Sequence, residues 1–231
     1  MCEPLILLPG LLCDHRLFAG QLEALARQAD VTVADLTGAD TIAGMAARVL
    51  ATAPPRFALA GLSMGGYVAF EILRRAAHRV TRLALLDTQA RADTEEAKAR
   101  RRGLIELARK GEFLGVAPRL LPLFLQPEAL ADPRVAGTVT AMAESTGKGA
   151  FIRQQQAIMG RPDSRPALRA FACPTLILAG LNDQITPPEF QLEMAQAIPD
   201  ATLVLLPRCG HLAPLERPLA VTRQLTGWLD G

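Results

Sequence analysis

Six short apolar runs, at residues 4–8, 31–36, 57–62, 83–87, 175–179 and 202–206, are bounded by turn-forming residues, and several lack polar alternation. An unalternating run of that length is what a strand buried on both faces requires. Segments of helical periodicity lie between most of them, at residues 16–29, 42–53, 64–77, 189–198 and 213–229. Strand and helix in alternation predict a mainly parallel sheet of about six strands with helices on both faces, an α/β architecture.

One interval breaks this rhythm. The stretch between the fourth run and Thr175 is far longer than a crossover helix needs, so residues 90–170 read as a helical insertion over one end of the sheet. Residues 1–89 and 171–231 then form the core. Within the insertion, Pro118, Pro122, Pro127 and Pro133 are expected to break the helices.

The 231 residues are half apolar, enough for one substantial core. With 25 basic and 23 acidic residues the net charge is +2, a balance that gives no attraction to nucleic acid or to an anionic membrane. The apolar stretch at residues 5–12 is preceded by Glu3, interrupted by Pro9-Gly10 and too short to span a bilayer. Cys2, Cys13, Cys173 and Cys209 lack metal or redox spacing and are expected to be buried free thiols. A cytoplasmic protein, monomeric by default, is expected from these features.

The third run leads into Gly61-Leu62-Ser63-Met64-Gly65-Gly66, and a helical pattern follows. This is the strand, turn and helix setting that a G-x-S-x-G elbow needs to project a serine hydroxyl above a sheet. Ser145 and Ser164 have no such setting. A serine needs a base, usually histidine. Of three histidines, His211 follows the last strand, where an open parallel sheet gathers its site. His15 and His78 read as structural or surface residues. Asp183, after the penultimate strand, suits the role of holding the imidazole; Asp87, also at a strand end, competes for it or anchors a loop. Met64 N–H, and most readily Leu11 N–H rather than its neighbour Leu12, are candidates for an oxyanion hole.

Together Leu8-Pro9-Gly10-Leu11, the Ser63 elbow, residues 180–187 with Asp183, and Gly210-His211 followed by Leu215-Glu216-Arg217-Pro218 resemble the α/β-hydrolase superfamily, in its small carboxylesterase and lactonase branch. The resemblance covers nearly the whole chain. It implies a helical cap at the inserted segment, and the antiparallel hairpin that usually opens the fold is expected to be missing. Pro9-Gly10 stands where many relatives have His-Gly. Within the branch the chain is similar to pimeloyl-carrier-protein methyl esterases and enol-lactone hydrolases. Tyr67 replaces the arginine of the related menaquinone-pathway synthase.

The expected activity is hydrolysis of a carboxylic ester, lactone or thioester with a small or medium acyl group, through Ser63, His211 and Asp183 and without metal or cofactor. A carrier-bound acyl group is a further candidate partner, because residues 91–119 hold eight basic and five acidic side chains. A lyase, a C–C hydrolase, a perhydrolase or a ligand-sensing receptor would use the same fold. Leu114, Leu120, Leu121, Leu123, Phe124, Leu125, Phe151 and Ile152 are expected to line the pocket or to pack the cap onto the sheet.

Overall fold

The computed structural model describes residues 2–231, without the side chains of residues 112 and 114–119. The expected lining residue Leu114 thus lies outside the described side chains. Strands β1 (Glu3–Leu8), β2 (Ala29–Val33), β3 (Phe57–Leu62), β4 (Val80–Leu86), β5 (Thr175–Gly180) and β6 (Ala201–Leu206) form one six-stranded sheet in the order β2-β1-β3-β4-β5-β6. Every neighbouring pair is parallel, in agreement with the expected sheet.

Helices α1 (Ala19–Leu25), α2 (Ile42–Thr52) and α3 (Met64–Ala76) lie between the first four strands. Between β4 and β5 come α4 (Glu95–Leu107), a π-helical turn (Ala108–Glu112), α5 (Phe113–Phe124), α6 (Pro127–Ala131) and α7 (Pro133–Met159). The remainder is α8 (Pro188–Ala197), α9 (Ala213–Glu216) and α10 (Pro218–Asp230).

Successive strand residues point to opposite faces, and this divides the core in two. Leu5 and Leu7 of β1 join Leu17, Leu25, Val221 and Leu225 on one side; Ile6 and Leu8 join Met45, Val68, Ile72 and Met194 on the other. Every residue of β3 and β5 is buried. Full burial of a Leu or Phe side chain is worth roughly 1.5–3 kcal/mol, so two cores at once fix the central strands and the loops that leave them.

Several boundaries differ from the sequence expectation. The first helical segment is a 3-10 turn (His15–Phe18) capped by Asp14, then α1, and the chain enters β2 at Ala29, which pairs in register with Glu3. The last expected helix is broken at Arg217 (φ −135°), because Pro218 disfavours helical geometry in the residue before it. Pro127 and Pro133 begin α6 and α7, where a missing N–H leaves no bond unmade. The expected breaks at Pro118 and Pro122 do not occur, for α5 runs through both. Apolar burial, including Leu120 and Phe124, offsets the lost helical bonds. The insertion bends instead at Gly111 (φ 92°) and Gly147 (φ 77°), a backbone region open to glycine. Of the four cysteines, Cys13, Cys173 and Cys209 are buried free thiols, whereas Cys2, near the chain terminus, is exposed.

Among the described residues, four other than glycine have positive φ: Leu12, Ser63, Asp87 and Arg208. They follow β1, β3, β4 and β6, so the backbone strain gathers at the carboxyl edge of the sheet.

Candidate active site

Ser63 is held at φ 53°, ψ −112° between β3 and α3. Its N–H donates to Leu86 O at 2.9 Å, and its carbonyl accepts from Gly66 N–H at 2.9 Å and from the Thr88 hydroxyl at 2.8 Å. The turn closes because two glycines flank it. A Cβ on Gly61 would lie 2.5 Å from Gly65 O, and one on Gly65 would run into the Leu8 carbonyl.

His211 leaves β6 on the loop before α9, and its Nε2 lies 2.9 Å from Ser63 Oγ. Its Nδ1 lies 2.8 Å from Asp183 Oδ2. An ionised carboxylate only accepts, so the proton belongs on Nδ1, and Nε2 is left to accept from the serine hydroxyl. Asp183 is oriented by its own loop: Oδ1 accepts from the N–H groups of Ile185 (2.8 Å) and Thr186 (3.0 Å), and Oδ2 from the Thr186 hydroxyl (2.6 Å). Ser63, Asp183 and His211 are all buried. Burial by itself would raise the Asp183 carboxyl, but the electrostatic attraction of the facing His211 ring and the hydrogen bonds from His211 and Thr186 hold it below the usual carboxylate range.

Asp87, the competing carboxylate, has a different position. Its Oδ1 accepts from Gly180 N–H at 2.9 Å and its Oδ2 from Ala213 N–H at 3.2 Å, so it ties the end of β5 to the start of α9. Burial pushes its carboxyl well above the ordinary range and the Asp183 charge adds to this, against the opposing pull of those two N–H groups. His15 and His78 are exposed, apart from this cluster.

Beside the elbow, Leu12 N–H donates to Gln154 Oε1 of α7 at 3.0 Å. That bond occupies the neighbour of Leu11. Among the described residues neither Leu11 N–H nor Met64 N–H has a protein acceptor, and Leu11 lines the same pocket as Ser63 and His211. Gln154, buried, comes from the last turns of α7 and gave no signal in the sequence.

Glu216 is a second supporting residue without an assigned role in the sequence reading. Its Oε2 accepts from Gln126 N–H and Gly210 N–H, and its Oε1 from Leu212 N–H, each at 3.1 Å. Its bonds bracket His211. Burial raises its carboxyl above the ordinary range, opposed by these three N–H donors.

The pocket above Ser63 has a volume of about 310 Å³ and is lined by both sheet loops and the insertion. Of the expected apolar lining, Leu120, Leu123 and Phe124 are present; Leu121, Leu125, Phe151 and Ile152 pack in the core instead. Polar groups from α3, α4 and α7 complete the wall: Tyr67, Arg100, Arg101 and Gln155, with Asp93 just before α4. Among the described residues no group of three His, Cys, Asp or Glu could hold a metal ion, and no helix is long and apolar enough to cross a membrane.

Comparison with known proteins fits this arrangement. The family model described as alpha/beta hydrolase family matches residues 5–224. A pimeloyl-[acyl-carrier protein] methyl ester esterase of Nitrosomonas europaea is 27% identical over 234 residues, covering 93% of this chain and 90% of its own. A Mycobacterium tuberculosis protein bearing the name non-heme bromoperoxidase BpoC is 30% identical over 177 residues, which span 73% of this chain and 65% of that protein. Among solved structures, a thermophilic esterase from Thermogutta terrifontis superposes with a TM-score of 0.89 at 32% identity, covering 99% of this chain and 89% of its own. The enol-lactonase from Burkholderia xenovorans gives a TM-score of 0.90 at 27% identity, with coverages of 100% and 93%. A six-stranded parallel sheet and a family match over nearly its whole length make this chain a member of the α/β-hydrolase family.

Proposed function

We propose that the protein cleaves a carboxylic ester, or a related lactone or thioester, by acyl transfer through Ser63. The observation that carries this reading is the unbroken hydrogen-bonded chain from Ser63 Oγ through His211 to Asp183, opening on a pocket of small-molecule size. His211 takes the Ser63 proton as Oγ attacks the acyl carbon. The carbonyl π electrons move to the oxygen, which receives hydrogen bonds from Met64 and Leu11 N–H. Collapse expels the alcohol, protonated by His211, and leaves Ser63 acylated. Water then attacks, giving its proton to His211; the acid departs and the serine is restored. Asp183 stays ionised and holds Nδ1 throughout. No step calls for a metal or an organic cofactor.

Residues 90–170 act in this reading as a cap that sets which acyl groups enter. Their support is the shared wall of the pocket, where Leu104, Leu120 and Phe124 face Ser63 and Ile185. The occupant is a small-molecule ester with a short or medium chain. Release of p-nitrophenol from acetyl to octanoyl esters, followed over many turnovers, tests the reading. Sustained release by the wild type that is lost in Ser63→Ala is expected; equal release by both proteins would overturn it.

A further inference from the structure

The pocket wall opposite the apolar residues is built around a charge that the proposed ester chemistry does not use. Asp93, whose side chain is 4% exposed, is gripped from two sides: Arg101 Nε donates to its Oδ2 at 2.7 Å and Arg161 Nη1 to its Oδ1 at 2.6 Å. Arg161 also lies over the Tyr67 ring at 4.2 Å, which fixes it behind the wall. One carboxylate therefore faces two guanidinium groups. Arg100 lines the same pocket, and among the described residues its one ion-pair partner is Glu96 at 3.7 Å, an exposed pair of little strength. Among the described residues that line the pocket, Asp93 is the sole carboxylate, against Arg100 and Arg101.

Gln155 adds a second, independent observation. Its Oε1 accepts from Arg101 Nη1 at 2.7 Å, and this orients the amide. Its Nε2 is consequently turned away from Arg101 and, although the residue is 0% exposed, has no partner among the described residues. A buried donor without an acceptor is disfavoured and marks a place for one. Arg101 uses Nε and Nη1 in these bonds, and its Nη2 has no acceptor among the described residues.

We infer that Arg101 and Gln155, with Arg100 at the mouth, form a carboxylate-binding subsite, so that the substrate is an ester carrying a free carboxylate remote from the scissile bond. A carboxylate has two acceptor oxygens, which suits the free guanidinium N–H of Arg101 together with the amide N–H of Gln155. It also balances the excess positive charge of the wall. This inference rests on the reading of Ser63 as an acyl-transfer nucleophile and names the substrate class for that site.

The test compares kcat/KM for monomethyl glutarate and monomethyl adipate with that for methyl pentanoate and methyl hexanoate. The wild type is expected to favour the acidic member of each pair by at least about tenfold. Arg101→Met and Gln155→Met each reduce that ratio severalfold or more, and Arg100→Gln reduces it less, with circular dichroism confirming the fold of each variant. Should Arg101→Met fail to fold, the Gln155 and exposed Arg100 variants carry the same test. A wild-type ratio of one or below, or a ratio unmoved by these substitutions, overturns the subsite. Cleavage of p-nitrophenyl butyrate, run beside it, separates the two claims: turnover without acidic preference removes the subsite and leaves the hydrolase. If no ester is turned over, calorimetry with glutarate decides, since saturable binding weakened by Arg101→Met supports the subsite and absence of binding overturns it.

Discussion

Phe124 holds His211 from two sides. Its carbonyl accepts the His211 backbone N–H at 2.9 Å, and its ring stacks on the imidazole with centroids 6.1 Å apart and planes inclined by 20°. Phe124 is the last residue of α5 and so belongs to the inserted segment. His211 and the insertion are therefore mechanically joined, and α5 cannot move far without shifting the imidazole that faces Ser63. Phe124→Ala keeps the carbonyl but removes the stacked ring. It should lower kcat about tenfold, more than it raises KM. Steady-state kinetics on one ester checks this; a change confined to KM would limit Phe124 to lining the pocket.

Glu216 secures the same loop from beneath through the N–H groups of Gly210, Leu212 and Gln126. Replacing it with Ala leaves three buried donors without an acceptor, each a cost of about 1–3 kcal/mol before relaxation. A clear fall in thermal midpoint is expected, with at least a tenfold loss of kcat in protein that remains folded. Glu216→Gln, which keeps one carbonyl acceptor, should recover part of both. Unfolding scans and kinetics on the two variants test this ordering.

Gln154 gives the insertion a hold on the other loop. Its amide accepts Leu12 N–H, and Leu12 is itself strained at φ 60°. Gln154→Leu removes the acceptor while retaining much of the side-chain volume, so the loop that carries Leu11 N–H should lose its fixed position. A fall of about tenfold in kcat with little change in KM is expected, because an oxyanion donor acts in the transition state. Equal loss in both parameters would mean a pocket defect instead.

The contrast between these residues and the triad candidates shows what the sequence can and cannot carry. Ser63 was legible because the elbow is local: the apolar β3, the tight glycines and the start of α3 are adjacent in the chain. His211 and Asp183 were legible because each follows a strand whose parallel partner could be inferred. Deciding between Asp183 and Asp87 needed coordinates, since both sit at strand ends and only hydrogen-bond partners separate them. Gln154 was invisible, for its bond to Leu12 joins residues 142 positions apart and a glutamine within a helix has no distinctive pattern. Glu216 stood within a recognised motif, yet its three bonds depend on how the Gln126 and His211 loops meet. The course of α5 through Pro118 and Pro122 departs from the local rule for proline because tertiary packing overrides it.

Acid should separate the carboxylates by sign. The folded pKa of Asp183 lies below its unfolded value, so its contribution to stability is complete above the ordinary carboxylate range, near pH 4, and is lost as pH falls through the folded value. Asp87 and Glu216, raised in the fold, have the opposite sign: their contribution is complete below about pH 4 and is lost as pH rises through their folded values. Asp183→Asn should therefore be less stable than the wild type at pH 7, and that gap should narrow on acidification toward pH 3. Thermal midpoints across this range test it. A gap that stays constant would show that the Asp183 charge is not what the fold favours. The same variant should lose about 10³–10⁴ in kcat, as expected when the imidazole loses its orienting carboxylate.

In the proposed mechanism Ser63 itself carries the acyl group. Mass spectrometry of protein quenched during turnover of a slowly deacylated p-nitrophenyl ester tests it most directly. One acyl adduct per chain is expected, mapped to the peptide containing Ser63, absent from Ser63→Ala and slow to form in His211→Gln. Turnover with no adduct on Ser63, or an adduct that persists in Ser63→Ala, would contradict it.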